Sequence, residues 1–246
     1  MNDCECTNRT HNVTLSIAKA LCIILMVIGH SGCPAYLHDW IYLFHMPCFF
    51  LISGYLLNDR NIENLGYGIK KRFKNLWYPY VKWSILFLLL HNVFYSWGFY
   101  LNKYSMNEIA IHAGKTLFFY GSEQLLWPYW FLSASLIASI IGLFYLKFFH
   151  SNLHLTHISI TGGVMCALIA TFINHIPISI PMFGSVQWLA ASFFLTGYYF
   201  KRIHVLKIPS YVAVLLCIIL VFIPILAVVD INANGINCLI FFVREL

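Results

Sequence analysis

The chain has 246 residues, of which 60% are hydrophobic, 17% aromatic and 10% charged. Soluble domains carry roughly 25% charged and 45–50% apolar residues, so this composition excludes a soluble globular protein and predicts a polytopic membrane protein. The net charge of +6 falls at positions that fit a membrane orientation and comes with no nucleic-acid-binding motif, which excludes a nucleic-acid partner.

The segment before the first apolar run holds Cys4, Cys6 and the sequons at Asn8 and Asn12. Two cysteines are too few for a zinc site, and a reducing compartment disfavours a disulfide between them. A signal peptide is not expected, because the first apolar run carries a lysine and lacks a small-residue cleavage site. Apolar runs long enough to cross about 30 Å of hydrocarbon occur near 15–30, 40–57, 77–97, 127–149, 157–176, 186–200 and 208–229, and an eighth begins near 236. The expected fold is therefore an all-α transmembrane bundle of about seven or eight helices, one domain over residues 1–246 with no internal repeat.

Within the first run, Lys19 and His30 stand eleven residues apart. Eleven helical steps advance about 16 Å and return to within roughly 20° of the starting azimuth, so both groups share one stripe. Ionisable groups at membrane depth line a bundle interior or a wet cavity, which makes this stripe the place to expect chemistry. His45 comes near the start of the second run and is expected to approach His30, since consecutive helices pack side by side. A second base, an orienter of His30 and a packing residue are all open readings for it. Ser53 and Gly54 suit close helix packing.

Between the second and third runs lie Arg60, Lys70, Lys71, Arg72 and Lys74; Lys147 ends the fourth; Lys201, Arg202 and Lys207 follow the sixth. The opposite connections carry only Lys103 and Lys115, so the positive-inside rule places the N-terminus in the cytoplasm. The longest connection, 98–126, has room for an amphipathic helix or a re-entrant segment. His150, His154 and His157 lie near one another in sequence without a carboxylate or cysteine beside them, and no metal site is expected. His175 and Gln187 are expected to satisfy partners at helix ends, and a role for His91 is open.

Four blocks carry a resemblance. Lys19, ten intervening residues and His30 match an R/K-x10-H motif; Phe44-His45-Met46-Pro47-Cys48-Phe49-Phe50-Leu51-Ile52-Ser53-Gly54-Tyr55-Leu56-Leu57 follows a characteristic second-helix sequence almost residue for residue. Lys71-Arg72-Phe73-Lys74-Asn75-Leu76-Trp77-Tyr78-Pro79-Tyr80 is a basic segment ending in Pro-Tyr, and Leu126-Trp127-Pro128-Tyr129-Trp130-Phe131-Leu132 holds a Trp-Phe-Leu helix start. In order and spacing these blocks resemble the integral-membrane acyltransferase-3 family, the O-acetyltransferases of surface glycans that include fucose 4-O-acetylase-like enzymes.

The resemblance implies acetyl-CoA as donor from the cytoplasm, a cell-surface or lipid-linked saccharide as acceptor, contact with membrane lipids, and a multi-pass place in the inner (plasma) membrane. Transfer of an acyl group to a hydroxyl needs a base, and an imidazole suits it, which gives His30 that task. Lys19, toward the cytoplasmic end, would hold a phosphate or polarise the thioester carbonyl. Lys71, Arg72 and Lys74 are candidates for the CoA side, and equally read as headgroup anchors. The family's R-x-x-R pattern has here lost its second arginine, leaving Lys71 and Lys74 at that spacing. Trp127 and Trp130 would offer stacking faces to a sugar, or form an interfacial belt. Family members are usually longer, so the last helices are expected to be missing, in an inactive truncated copy or a natural short form. The alternative class is a transporter or flippase of a polar solute with Lys19, His30 and His45 lining its path, although repeated halves are absent.

Overall fold

A computed structural model describes residues 13–119, 123–149, 155–174 and 184–203. Among these every regular element is helical, as the apolar runs require. The runs 208–229 and 236 onward, Cys4, Cys6, Asn8, Asn12, His150, His154, His175, Lys207 and Cys217 lie outside the described residues. Two compact units divide the chain at Ile52/Ser53.

The first unit contains α1 (Val13–His30) and α2 (Ala35–Tyr55) as far as Ile52. Ile17, Leu21, Ile24 and Ile28 recur at helical spacing on α1 and are all exposed, whereas Leu15, Cys22 and Gly29 recur every seventh residue and are buried. The exposed stripe is apolar throughout, and the buried one meets α2. Gly29 allows that approach, since a Cβ there would lie 3.1 Å from Cε2 of Tyr42. The thiols of Cys22 and Cys48 hydrogen-bond across the same interface. Gly32 makes the turn between the helices at φ +77°, in the left-handed region that costs glycine nothing.

The second unit begins with the final turn of α2 and continues through α3 (Asp59–Glu63), α4 (Leu65–Arg72), a π turn (Phe73–Trp77), α5 (Tyr78–Leu89) and α6 (His91–Ser96). α7 (Met106–Leu117), a 3-10 turn (Gln124–Tyr129), α8 (Trp130–Phe148), α9 (Leu155–Asn174) and α10 (Ser185–Arg202) complete it. α10 packs against both α8 and α9. Pro79, at the start of α5, has no N–H and would press on the carbonyl four residues back; the π turn just before it widens the helix at that point. Among the described residues α8 is long and apolar enough to cross a membrane, with shorter apolar helices at Leu15–His30 and His157–Ile173.

Two expectations are refined. The run 77–97 is interrupted rather than continuous, because Leu90 leaves helical geometry (φ −86°, ψ 0°) and α6 starts anew at His91. The long connection does hold a helix, α7, opened by a capping box in which Ser105 and Glu108 satisfy each other's backbone N–H.

Candidate active site

In the first unit, α1 delivers Lys19 half-buried on the face it shares with Leu15 and Cys22, and ends at His30, whose side chain is exposed. Both lie on one unbroken helix, so they stay about 16 Å apart along its axis and do not touch. α2 supplies the partners. His38, Tyr42 and His45 follow one another at four- and three-residue steps, which puts all three on one face.

Tyr42 is the hub of that face. Its ring stacks on His38 (centroids 4.2 Å apart, 25°) and meets His45 edge-on at 4.9 Å and His30 edge-on at 5.6 Å. Its hydroxyl oxygen is 3.1 Å from Nδ1 and 3.0 Å from Nε2 of His30. The two lone-pair directions of an imidazole diverge, so an oxygen equidistant from both nitrogens lies against the ring face between them and on the axis of neither. His38 also pairs with Asp39 at 3.1 Å.

His45 is 1% exposed. Its Nδ1 stands 2.7 Å from the carbonyl oxygen of Ile41; a carbonyl only accepts, so Nδ1–H donates and Nε2 is left as the basic nitrogen. His30 is thus the accessible imidazole of the pair and His45 the enclosed one. Tyr42 stands against both.

The basic candidates belong to the second unit. Arg72, the last residue of α4, points inward: its Nη1 donates to Ser53 Oγ (3.0 Å) and its guanidinium lies 5.4 Å from the ring centroid of Phe194. Burial alone pushes its pKa below the usual arginine value. Lys71 is half-buried with Nζ 6.0 Å from the Tyr67 ring, and Lys74 is exposed in the π turn. Further basic residues gather at the same end of this unit. Lys147 Nζ donates to the Glu63 carbonyl (2.7 Å) and Lys201 Nζ to the Leu57 carbonyl (2.6 Å), while Asp59 pairs with Arg202 (3.2 Å) and Lys201 (3.7 Å) and accepts from Tyr198 Oη (3.1 Å).

Of the tryptophans, Trp130 opens α8 half-buried and edge-on to Phe131. Trp127 falls in the 3-10 turn before it, with its side chain outside the described residues. Among the described residues no group of three or more His, Cys, Asp or Glu is placed to hold a metal ion. The Oε1 atom of Gln187 is buried without a hydrogen-bond partner among them.

One pair escaped the sequence. His91, at the start of α6, is 1% exposed; its Nδ1 lies 2.8 Å from Oε2 of Glu123, itself 7% exposed, and its Nε2 2.9 Å from the Asn102 carbonyl. Tyr100 and Tyr104 sandwich the imidazole at 4.3 and 3.6 Å, and His112 stacks on Tyr104 at 4.8 Å. Burial first, and then the Glu123 charge, push the Tyr100 phenol up to about 12. Every polar position of the His91 ring is occupied, so the cluster clamps the long connection onto α6 and leaves no nitrogen for a substrate. Thirty-two positions separate His91 from Glu123, and no local spacing announces them. Tyr42 did leave a signal, since its spacing from His38 and His45 marks one face of α2.

Comparison with known proteins bears on what this arrangement does. Nodulation protein NolL of Mesorhizobium japonicum is 26% identical over 153 residues, an alignment that covers 56% of this chain and 37% of that relative. The chain thus matches well under half of the relative's length. No solved structure matches it. The acyltransferase-3 family model, described as an acyltransferase domain, matches residues 12–242, a range that takes in α1 with Lys19 and His30, the second-helix block, the basic segment and α8. The chain belongs to that family of acyltransferases.

Proposed function

We propose that the chain is a multi-pass O-acetyltransferase of the inner membrane, a single domain over residues 1–246, that moves acetyl from cytoplasmic acetyl-CoA to a hydroxyl of a surface or lipid-linked saccharide. Members of its family are typically membrane proteins, and the exposed apolar stripe of α1 and the apolar length of α8 support that setting. A cytoplasmic N-terminus draws support from the basic residues of three separate connections meeting at one end of the second unit.

The reading is carried by one observation: His30 is an exposed imidazole at the end of a helix that bears a half-buried lysine about 16 Å away. His30 takes the proton of the acceptor hydroxyl as its oxygen attacks the thioester carbonyl carbon; the carbon–sulfur bond breaks, and the proton returns to the leaving thiolate. Lys19 serves the donor side as a fixed cation that holds a phosphate. Arg72, with Lys71 and Lys74 beside it in sequence, offers charge to CoA phosphates, and Trp130 and Trp127 offer faces to the sugar. The separation along α1 requires the pantetheine arm to reach along the helix and bring the thioester to His30.

Mass spectrometry of surface glycans from cells with the gene, without it and with His30→Ala tests the reading. Ester-linked acetyl should vanish in the second and third strains while the bare glycan is still exported. Acetylation that persists with His30→Ala removes His30 from its role, and loss of the exported glycan itself would favour a transporter.

A further inference from the structure

The geometry points to Tyr42 as a positioning residue whose hydroxyl holds the imidazole of His30 in its working orientation. The inference rests on His30 acting as the base, as proposed above. A tyrosine in an aromatic-rich apolar helix is ordinarily packing, and the Tyr42 ring does pack, on His38, His45 and the bare Cα of Gly29. Its hydroxyl is another matter. Tyr42 is 5% exposed, and its oxygen leaves that enclosed ring to rest 3.0–3.1 Å from both nitrogens of an exposed side chain.

An exposed histidine at a helix end has a broad χ2 well and samples many ring orientations. A base needs one. With the oxygen over the ring face, a turn of about 90° about χ2, in one sense or the other, brings one nitrogen edge of the ring toward it. The hydroxyl can donate to a basic nitrogen before reaction and accept from the N–H once the ring has taken the substrate's proton. It therefore selects the orientation in which one nitrogen faces Tyr42 and the other faces away, toward the acceptor. His38 and Asp39, on the same face of α2, and the enclosed His45 are the titratable groups around this contact. None of them is within hydrogen-bond distance of His30.

The substitution Tyr42→Phe deletes the hydroxyl and keeps the ring with its stacking partners, so a purely packing role predicts no change. The full chain in lipid nanodiscs, with 15N-labelled histidine and His30 assigned through its loss in His30→Gln, gives a readout independent of turnover. In Tyr42→Phe the His30 ring-nitrogen shifts should move while those of His91 stay, and kcat for acetyl-CoA turnover should fall about tenfold, the worth of one hydrogen bond, with KM within twofold. Unmoved His30 shifts overturn the contact. Moved shifts with an unchanged kcat overturn the positioning role. Absence of acetyl-CoA turnover in the unaltered chain would instead sink the acetyl-transfer reading, leaving the nitrogen shifts to decide the contact.

Discussion

Gly54→Ala is expected to separate the last turn of α2 from α10, and its cost follows from one distance. A Cβ at position 54 would lie 1.8 Å from the carbonyl oxygen of Phe194 and 2.7 Å from its carbonyl carbon. Ordinary contact begins near 3.4 Å, so one backbone must retreat by about 1.6 Å, and neither can do so by rotating a side chain. Overpacking typically costs about 1–3 kcal/mol, and an obstacle made of main chain belongs at the upper end. For a chain of this size, about 3 kcal/mol corresponds to a melting temperature lower by roughly 6–12 °C, read by thermal unfolding of the detergent-solubilised protein. Gly142→Ala supplies the contrast. Its Cβ would meet Cδ1 and Cε1 of the Phe194 ring at 2.5 and 2.6 Å, side-chain atoms that a smaller, non-planar residue can turn away. Phe194→Leu should therefore rescue Gly142→Ala with a coupling of about 1–2 kcal/mol and leave Gly54→Ala unrescued. A Gly54→Ala protein that melts with the wild type, or one restored by Phe194→Leu, would refute the backbone approach.

The buried pair of His91 and Glu123 should show the asymmetry of enclosed charges: His91→Phe or Glu123→Leu alone costs about 3–5 kcal/mol, while the two together cost much less. Thermal unfolding of the three variants checks this, and a double variant as unstable as the sum of the singles would count against a mutual pair. Glu108 gives a pH dependence. Hydrogen bonds from the backbone and side chain of Ser105 hold its carboxyl below the ordinary 4.5, so the cap's contribution to α7 is complete above that value and is lost as pH falls through the lower, folded one. Hydrogen exchange of the first-turn amides of α7 should accelerate there in the wild type; in Ser105→Ala, where the backbone N–H of residue 105 still reaches the carboxylate, it should be faster throughout with a smaller acid transition.

What the sequence disclosed depended on distance along the chain. Lys19 and His30 were legible because helical geometry alone relates eleven residues, and the helices α1, α2, α8, α9 and α10 were legible because each lies largely within a continuous apolar run. The break at Leu90 was hidden, since the apolar run passes through it and the pair beside it, His91 and Glu123, meets across a connection of some thirty residues. The approach of Gly54 to Phe194 was readable only as a small residue suited to packing, because its partner lies far along the chain in α10. Tyr42 was legible only as a position on the face of His38 and His45: fifteen tyrosines and twenty-one phenylalanines make any one aromatic look like filling, and its hydroxyl acquires a use only when α2 turns back beside the end of α1.

The basic segment shows how burial can reverse the weight of a substitution. In sequence the loss of the second arginine from the R-x-x-R pattern looks damaging, because lysine forfeits the planar fork that grips a phosphate in two places. The pattern's second position here is Asn75, three residues after Arg72, and the nearest basic side chain, Lys74, stands in surroundings unlike those of Arg72. Lys74 stands exposed in the π turn, where a strongly hydrated ammonium on a flexible stem still meets a phosphate as a point charge. Arg72 stands inward between Ser53 Oγ and the face of Phe194, where an ammonium would be poorly stacked and would lose more hydration than the delocalised guanidinium does. Only one of its five N–H donors is taken by Ser53, so its remaining donors can serve an anion without breaking that anchor. On the donor-binding role proposed for this segment, the one arginine sits at the enclosed, stacked position, where its guanidinium is needed, and the charge beside it is a lysine at an exposed position, where a point charge is enough.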